Sequence, residues 1–599
     1  MSRPESPASP SISLPRSPAV PDADTTTDPA AKLRVRLLDA PDDAGARYAL
    51  GGLLAEGERY VEAALEFYLA QAVAPDDARL EALATALGLA RFTETKPWAI
   101  LAYRSLLTDG KIDLRTCMGA ILSLLRCDVE VAGLLAADEA KLTQVVRDAL
   151  TRPMRLADNT LFLEVMRREL ISDDGFEAAF SRLRRSVLMA VDGKRVQTET
   201  IRLVVALALQ CHNTEYAYFV TPAEDDAVDR LRESLVGGDF EDPVFGLAVL
   251  ACYESLRLLA QASAPLATVL ETDTDLRPLY DRMIVEPAEE ERLRGAIPAL
   301  GAIDNDVSRK VRRQYEENPY PRWSSIGIHG GSTLGDRLAA NFPGFDGRHL
   351  NGPIEMLVAG CGTGKHPIST ALEYPHADIL AVDLSLSSLA YGKRMAQRLG
   401  VDRVEFAQGD ILGLDGLARR FDVVECVGVL HHMQDPLAGW RVLRGLLKPG
   451  GVMFIGLYSE RARGNVVAVA DWIRKEGIAP TPEGLRAFRR RVLEGSVPEA
   501  FRATAGVHDF FSLSGCRDMY FHIQEQRYTI PRLRRELDVL DLEPIGFLFP
   551  DPIVLRTYRQ SFPGDSSRTD LGNWEILEQQ HPRIFGRMYQ FYCRPRGGG

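Results

Sequence analysis

The sequence predicts two parts of different fold class: an α-helical array that extends to about residue 290, and an α/β part built on a parallel sheet over residues 351–599. Two observations support this division. Long runs in the first part, such as FGLAVLACYESLRLL at 245–259, have the apolar periodicity of packed helices. From residue 354 onward, short apolar strands alternate with amphipathic helices. A chain of 599 residues is also too long for one core.

Residues 1–30 are predicted to be a disordered tail, because they are rich in Ser, Pro, Thr and Asp and poor in apolar residues. They lack the apolar segment of a secretory signal. No run of about 18 uncharged apolar residues occurs in the chain, so no membrane span is expected. The sequence therefore indicates a cytoplasmic protein without a membrane partner.

Residues 31–92 are predicted to form one helical repeat. The tetrapeptide PDDA begins at residue 41 and again at residue 75, and this spacing of 34 residues is that of the tetratricopeptide repeat. Between the copies, small Gly51 permits two helices to approach while Phe67 fills the seam. One repeat cannot bury its own face, so residues 93–290 are predicted to continue as a degenerate helical array. Such arrays often present a concave surface to a peptide or protein. Bracing of the α/β part or dimerisation explains the array equally well.

Charge is unevenly distributed between the two parts. Residues 301–599 carry 38 basic and 35 acidic side chains, which leaves 33 basic and 48 acidic ones for residues 1–300. A phosphate backbone would be repelled by that first half, so nucleic acid is not expected as a partner. A basic or neutral partner suits this half better, although a well-solvated surface explains the charge as well. The eight cysteines include no C-x-x-C pair, and neither a metal site nor a disulfide framework is expected.

The first predicted strand, IEMLVAG at 354–360, turns through a glycine-rich loop into a helix that begins near Lys365. Gly360, Gly362 and Gly364 permit a tight turn and a close approach of backbone to a ligand. Their G-x-G-x-G spacing differs from the G-x-G-x-x-G of nicotinamide-dependent enzymes.

Acidic residues then follow or end the next strands. Asp383 ends strand two, about 20 residues past the loop, where an acid accepts hydrogen bonds from ribose hydroxyls. Capping of the helix that follows is the alternative role for Asp383. Asp410 ends strand three and can accept from an adenine amino group, and Glu425 lies on strand four. LLKPGGVMFIGLY at 446–458 supplies strand five.

These blocks, in this order and spacing, resemble the Rossmann-like class I S-adenosylmethionine-dependent methyltransferases, whose sheet has seven strands. The resemblance implies S-adenosylmethionine as cofactor and the following cofactor-binding residues: Gly360, Gly362, Gly364, Asp383, Leu384, Asp410, Ile411 and Glu425. The family usually has an acid two residues before the first glycine, and this chain has Val358 there. The last two strands are assigned to 542–550 and 586–594.

A narrower resemblance covers nearly the whole chain. VRRQYEENPYPRW (311–323), DLSLSSLAYGKR, GVLHHMQDPLAGWRVL and DFFSLSGCRDMYFHIQEQRYT (509–529) resemble bacterial fusions of tetratricopeptide repeats with a methyltransferase. Two segments are candidate covers of the active site. Residues 300–350 are predicted to be a linker or lid, with Tyr315, Tyr320, Arg322 and Trp323 in it. The insert at 461–530 follows strand five at the edge where substrate enters.

Methyl transfer to a carbon or hydroxyl needs a base, whereas transfer to a neutral amine does not. The candidate bases are His431 and His432, which cannot both face the pocket from an extended loop, and His508, His522 and Glu525 in the insert. Structural roles for the paired histidines are the alternative.

Three functions are compatible with the sequence: methylation of a protein or peptide presented by the helical part, methylation of a small metabolite, lipid or glycan precursor with that part as brace or dimer interface, and cofactor binding without turnover. Every cofactor motif lies after residue 350, so a fragment lacking residues 1–290 is expected to be soluble and to bind the cofactor. The sequence does not indicate an oligomeric state.

Overall fold

The computed structural model describes residues 28–597 except for positions 109, 111, 153, 318, 328–329 and 550–551. The chain divides into two compact units after Ala102. The predicted tail lies outside the described residues except at its end, where Pro29 begins the first helix. Among the described residues, no helix combines the length and the apolar character needed to cross a membrane.

The first unit is helical, and its central helix pair follows the repeat pattern. A Cβ atom at Gly51 would lie 2.6 Å from the ring of Phe67, so the two helices need glycine at this contact. Arg47 is buried there and donates to Glu66 at 2.8 Å. The tetratricopeptide assignment remains a prediction. The helices are α1 (Pro29–Asp39), α2 (Ala44–Glu56), α3 (Tyr60–Val73), α4 (Asp77–Leu89) and α5 (Pro97–Thr108), which contains the point of division.

The second unit begins with further helices, many of them apolar on most sides. A π-helical turn at Asp281–Val285 joins the last two of this series. They are α6 (Leu114–Leu125), α7 (Val129–Ala136), α8 (Glu139–Ala149), α9 (Thr160–Arg168), α10 (Asp174–Leu188), α11 (Thr198–Asn213), α12 (Pro222–Gly237), α13 (Pro243–Leu250), α14 (Arg257–Ala262), α15 (Ala264–Thr272), α16 (Arg277–Tyr280) and α17 (Glu286–Arg294).

The predicted seven-stranded sheet is confirmed. Its strand order is β3-β2-β1-β4-β5-β7-β6, and β7 runs antiparallel to both of its neighbours. Both faces are covered by buried apolar residues, as a largely parallel sheet requires. The strands are β1 (Ile354–Ala359), β2 (Ala377–Asp383), β3 (Val404–Gln408), β4 (Phe421–Val427), β5 (Leu447–Tyr458), β6 (Leu542–Phe547) and β7 (Met588–Pro595).

Helices precede, connect and cover these strands. They are α18 (Asp306–Glu317), α19 (Leu334–Asn341), α20 (Lys365–Glu373), α21 (Leu386–Arg398), α22 (Pro436–Gly445), α23 (Gly464–Lys475), α24 (Pro482–Leu493), α25 (Leu513–Tyr520), α26 (Ile530–Val539), α27 (Pro552–Ser561) and α28 (Leu571–Gln580). The predicted insert at 461–530 therefore contains α23, α24 and α25.

Within the second unit, the helices before the sheet pack directly on the insert. Leu170 and Ala217 belong to one buried apolar cluster with Phe488 and Phe510 of the insert. Arg489, fully buried, donates to Glu177 and to the backbone carbonyl of Ala217, each at 2.5 Å. This packing holds the insert at the carboxyl edge of the sheet. The domain boundaries predicted at residues 92, 290 and 350 remain predictions.

Candidate functional site

A cavity of about 550 Å³ lies at the carboxyl ends of β1 to β4, and we call it the sheet-edge cavity. Seven of the eight predicted cofactor-binding residues line it: Gly360, Gly362, Asp383, Leu384, Asp410, Ile411 and Glu425. Gly364 is not among the lining residues and lies behind the loop. A Cβ atom there would lie 2.9 Å from Cα of Gly392, so this glycine lets the loop pack on α21.

The glycines of the loop have backbone conformations that other residue types rarely adopt. Gly360, Gly362 and Gly364 all have positive φ, at 78°, 53° and 78°. A Cβ atom at Gly360 would lie 2.2 Å from a methyl group of Val429. The backbone at Gly360 and Gly362 can therefore come directly against a ligand in the cavity.

Asp383 is the last residue of β2 and holds the glycine loop. Its carboxylate accepts from the backbone N–H of Gly362 at 2.8 Å and from that of Ser385 at 2.9 Å. Burial raises its pKa, while the backbone N–H groups act in the opposite direction. A carboxylate oxygen can accept more than one hydrogen bond, so Asp383 still has capacity for ligand hydroxyls.

Asp410 follows β3 and is 7 % exposed. One carboxylate oxygen accepts from the backbone N–H of Leu412 at 3.1 Å and caps a 3-10 turn that begins at Ile411. Asp383 and Asp410 therefore lie at the same edge of the sheet, as the strand pattern predicts for acids at the carboxyl ends of adjacent strands.

Glu425 on β4 forms a pair with His366, which the sequence analysis missed. Nε2 of His366 lies 2.6 Å from Oε2 of Glu425, and both side chains line the sheet-edge cavity. Burial lowers the pKa of His366, but Glu425 outweighs it and the net pKa is above its ordinary value. The position of His366 is the signal that sequence reasoning could have used, because the first turn after a glycine loop faces the loop's ligand.

The segment predicted as a linker or lid covers the sheet-edge cavity from outside the sheet. Val307, Val311 and Tyr315 recur every four residues on one face of α18 and line the cavity. Of these, the sequence analysis identified only Tyr315. The phenol of Tyr315 donates to Asp518 of the insert at 2.6 Å, and burial raises the pKa of both groups.

Residues 319–324, which we call the strap, cross the glycine loop. Indole Nε1 of Trp323 donates to the carbonyl of Thr363 at 3.1 Å, and the Thr363 hydroxyl donates to the carbonyl of Pro321. Tyr320 lines the cavity, and its hydroxyl donates to Asp509 at 2.8 Å. Arg322 is not a lining residue of the sheet-edge cavity and lies 3.7 Å from Glu215.

The two candidate histidines after β4 have different environments. His432 lines the cavity, and its Nδ1 lies 2.8 Å from the carbonyl oxygen of Gln524, which can only accept. The neutral ring therefore carries its proton on Nδ1 and leaves a lone pair on Nε2. Burial and the neighbouring His522 hold the pKa of His432 well below its usual value. His431 is fully buried against Tyr458 and is not a lining residue.

The other candidate bases are occupied or remote. Glu525 is held by the buried Arg463 at 2.7 Å. His522 stacks on His432 with ring centroids 3.7 Å apart and is not a lining residue. His508 lines a different cavity, and burial lowers its pKa to about 4. Asp518 also lines the sheet-edge cavity and makes no ion pair with the described residues.

A second cavity of about 330 Å³, the polar cavity, adjoins the strap. Tyr320 and Pro321 line both cavities. The wall of the polar cavity combines basic and acidic side chains from the helices before the sheet with residues of the insert. Among them are Arg115, Glu169, His212, Glu215, Arg257, His508 and Asp509. Arg257 is exposed and makes no ion pair with the described residues.

Comparison with known proteins gives one family match. Residues 353–476 match a family model described as a methyltransferase domain. Uncharacterized protein syc1184_c of Synechococcus sp. is 34% identical over 262 residues, which cover 41% of this chain and 62% of that protein. Ubiquinone biosynthesis O-methyltransferase of Acinetobacter baumannii is 28% identical over 116 residues, which cover 19% of this chain and 48% of that enzyme. This chain therefore spans between about half and three fifths of the length of these relatives.

Among solved structures, PKMT2 from Rickettsia typhi in complex with AdoHcy is similar, with 18% sequence identity and a TM-score of 0.33. That match covers 41% of this chain and 49% of the other.

Proposed function

Since residues 353–476 belong to a methyltransferase domain of class I, we propose that the protein transfers a methyl group from S-adenosylmethionine to a protein or peptide side chain. The observation that supports this most directly is the sheet-edge cavity, whose walls combine the glycine loop, two strand-end acids and a histidine with a free ring nitrogen. When bound, the cofactor supplies an electrophilic methyl group on a sulfonium.

The cavity walls fit this cofactor from one end to the other. Asp383 offers a charged acceptor to ribose hydroxyls, and Asp410 with Ile411 suits an adenine amino group and ring. The glycine loop, where a side chain at Gly360 would clash, lets backbone approach the methionine portion. The strap and α18 line the outer side of the cavity, which reduces its exposure to solvent and favours a displacement in which charge is redistributed.

The part of the sheet-edge cavity that His432 and Asp518 line suits a methyl acceptor that must lose a proton. Nε2 of His432 has a lone pair, and its depressed pKa keeps the ring neutral at pH 7. His432 can therefore take a proton from an attacking amino or hydroxyl group. Asp518 also lines this cavity, and its buried carboxyl forms no ion pair with a cation among the described residues. It therefore favours a methyl acceptor that donates hydrogen bonds or carries positive charge.

The polar cavity favours a polypeptide substrate. Its mixed charges suit the polar groups of a peptide, and Tyr320 connects it to the sheet-edge cavity. The acidic excess of residues 1–300 also favours a basic or neutral partner. A small metabolite is the second candidate, and the matched ubiquinone biosynthesis O-methyltransferase is the observation that favours it.

The test is methyl transfer from methyl-labelled S-adenosylmethionine into an extract of the source organism, separated into macromolecules and small molecules. We expect label in the protein fraction, where intact mass identifies the methylated chain. Arg257→Ala removes a charge from the polar cavity without breaking an ion pair, so it should reduce protein labelling and leave cofactor affinity unchanged. Label confined to small molecules, with no effect of Arg257→Ala, would establish the metabolite function instead.

A further inference from the structure

The proposed cofactor carries two charges beyond its sulfonium: an α-ammonium and an α-carboxylate on the methionine portion. A site that selects this portion needs an acceptor for the ammonium and a donor for the carboxylate. The pair of Glu425 and His366 offers both groups at the wall of the sheet-edge cavity. It lies beside the glycine loop, at the opposite end of the cavity wall from Asp410.

Strand register explains how Glu425 comes to this position. β1 and β4 are parallel neighbours, and Val358 is paired with Glu425. Val358 lies two residues before the first glycine of the loop, and both residues line the cavity. The carboxylate beside the loop is therefore supplied by β4 and not by β1.

His366 is the second residue of α20, the helix that follows the glycine loop. The N-terminus of this helix has free backbone N–H groups and a partial positive charge, which adds to the charge of a protonated imidazole. Burial lowers the pKa of His366, but the carboxylate of Glu425 outweighs it and raises the pKa, which favours the protonated imidazole. The ring of Phe454 lies nearly parallel to the imidazole, with an interplanar angle of 17° and ring centroids 6.4 Å apart.

Each partner retains hydrogen-bonding capacity after the pair is formed. The pair uses Oε2 of Glu425 and Nε2 of His366. Among the residues that the structure describes, no hydrogen bond is made to Oε1 of Glu425 or to Nδ1 of His366. Oε1 of Glu425 is therefore an available acceptor, and Nδ1 of the protonated His366 is an available donor next to it; together they match an ammonium and a carboxylate on the same carbon.

We propose that Glu425 accepts a hydrogen bond from the α-ammonium of the bound cofactor while His366 donates to its α-carboxylate. The pair then selects the amino-acid portion of the cofactor and sets the position of the sulfonium relative to His432. This inference rests on the proposed function, because it names the residues that hold one end of the same cofactor.

The experiment compares two ligands that differ only in that portion. S-adenosylhomocysteine has the amino-acid portion, and 5′-methylthioadenosine has the same adenosine without it. Calorimetry on the full chain should give His366→Gln and Glu425→Gln an affinity for S-adenosylhomocysteine that is about tenfold to hundredfold weaker, since each variant loses a charge-assisted hydrogen bond. Their affinity for 5′-methylthioadenosine should stay within about twofold of wild type, because adenosine contacts are unchanged.

Asp383→Asn is the matched control at the other end of the cavity, and it should weaken both ligands to a similar extent. Wild-type affinity of both pair variants for S-adenosylhomocysteine would overturn the inference and leave the proposed function intact. An equal loss for the two ligands would assign the pair a structural role and overturn it as well. A wild-type protein that binds neither ligand would refute the proposed function itself, and the inference with it.

Discussion

Asp383 is the residue on which the ribose assignment can be tested most sharply. Its carboxylate holds the backbone N–H of Gly362 at 2.8 Å and that of Ser385 at 2.9 Å, and it also lines the sheet-edge cavity. Asp383→Asn removes the charge but keeps one oxygen acceptor. Asp383→Ala removes the acceptors altogether and leaves the N–H of Gly362 without this partner.

The expected losses follow from these contacts. A charged hydrogen bond to ribose hydroxyls contributes about 1.5–3 kcal/mol, so Asp383→Asn should weaken S-adenosylhomocysteine binding about tenfold to 150-fold. Loss of the bond to Gly362 should add about 1 kcal/mol in Asp383→Ala, because the glycine loop is less fixed. The alanine variant should therefore bind about five times more weakly than the asparagine variant.

Isothermal titration calorimetry at pH 7.5 measures both affinities. Asp378→Asn is the control, since Asp378 lies on the same strand but is exposed. It should bind like wild type. A folded Asp383→Ala variant with wild-type affinity would refute the ribose role, and Asp383 would then serve only to fix the backbone of the loop and the start of α21.

The remaining predictions concern catalysis and stability. His432→Gln should lower the turnover number about 100-fold and change S-adenosylhomocysteine affinity by less than about twofold, as measured by single-turnover kinetics; an unchanged turnover would exclude a base role. The pKa of His432 is lower in the folded than in the unfolded protein, so its contribution to stability is present above about pH 6.5 and is lost as pH falls. Below about pH 6.5, the free energy of unfolding should therefore change with pH more steeply in wild type than in His432→Gln, by about 1.4 kcal/mol per pH unit. Parallel slopes for the two proteins would contradict this. Arg489→Met should lower the free energy of unfolding by about 3–5 kcal/mol, because it leaves the carboxylate of Glu177 buried without its cation. Adding Glu177→Gln should recover part of this loss, as measured by calorimetric melting. The absence of recovery would count against a stabilising role for the ion pair. A fragment lacking residues 1–290 should be insoluble on expression, contrary to the expectation from motif positions alone, because Arg489 would lose its buried partners.

The sheet and its acidic edge could be predicted because their signals are local. Each strand is a short apolar run, and parallel strands bring their carboxyl ends to one edge, so Asp383 and Asp410 were found from position alone. The departure at Val358 was also visible in the sequence. The pair of His366 and Glu425 was not visible there, because it depends on the register of β1 against β4.

Charged residues in the insert show where pattern reasoning fails. The run of arginines on α24 suggests one exposed helix face, and periodicity alone cannot tell which neighbour covers that face. In the structure Arg489 is buried, and Arg486 donates to the carbonyl of Tyr216 at 2.8 Å. The partner groups lie about 270 residues earlier in the chain, and no local pattern links them to α24.

Within the second unit, residues 103–290 contact both the strap and the residue that follows the glycine loop. Asp113 pairs with Lys365, the residue directly after Gly364, at 2.8 Å. Glu169 accepts from Ser324 of the strap at 3.1 Å. The strap in turn crosses the glycine loop, and its Tyr320 lines both cavities. These contacts support a bracing role for residues 103–290, and they are compatible with the proposed presentation of a polypeptide substrate. Under the proposed function, a partner in the polar cavity would contact the same strap that lines the sheet-edge cavity, so the two binding events would share one structural element. Any effect of that partner on cofactor affinity must then be matched by an equal effect of the cofactor on the partner.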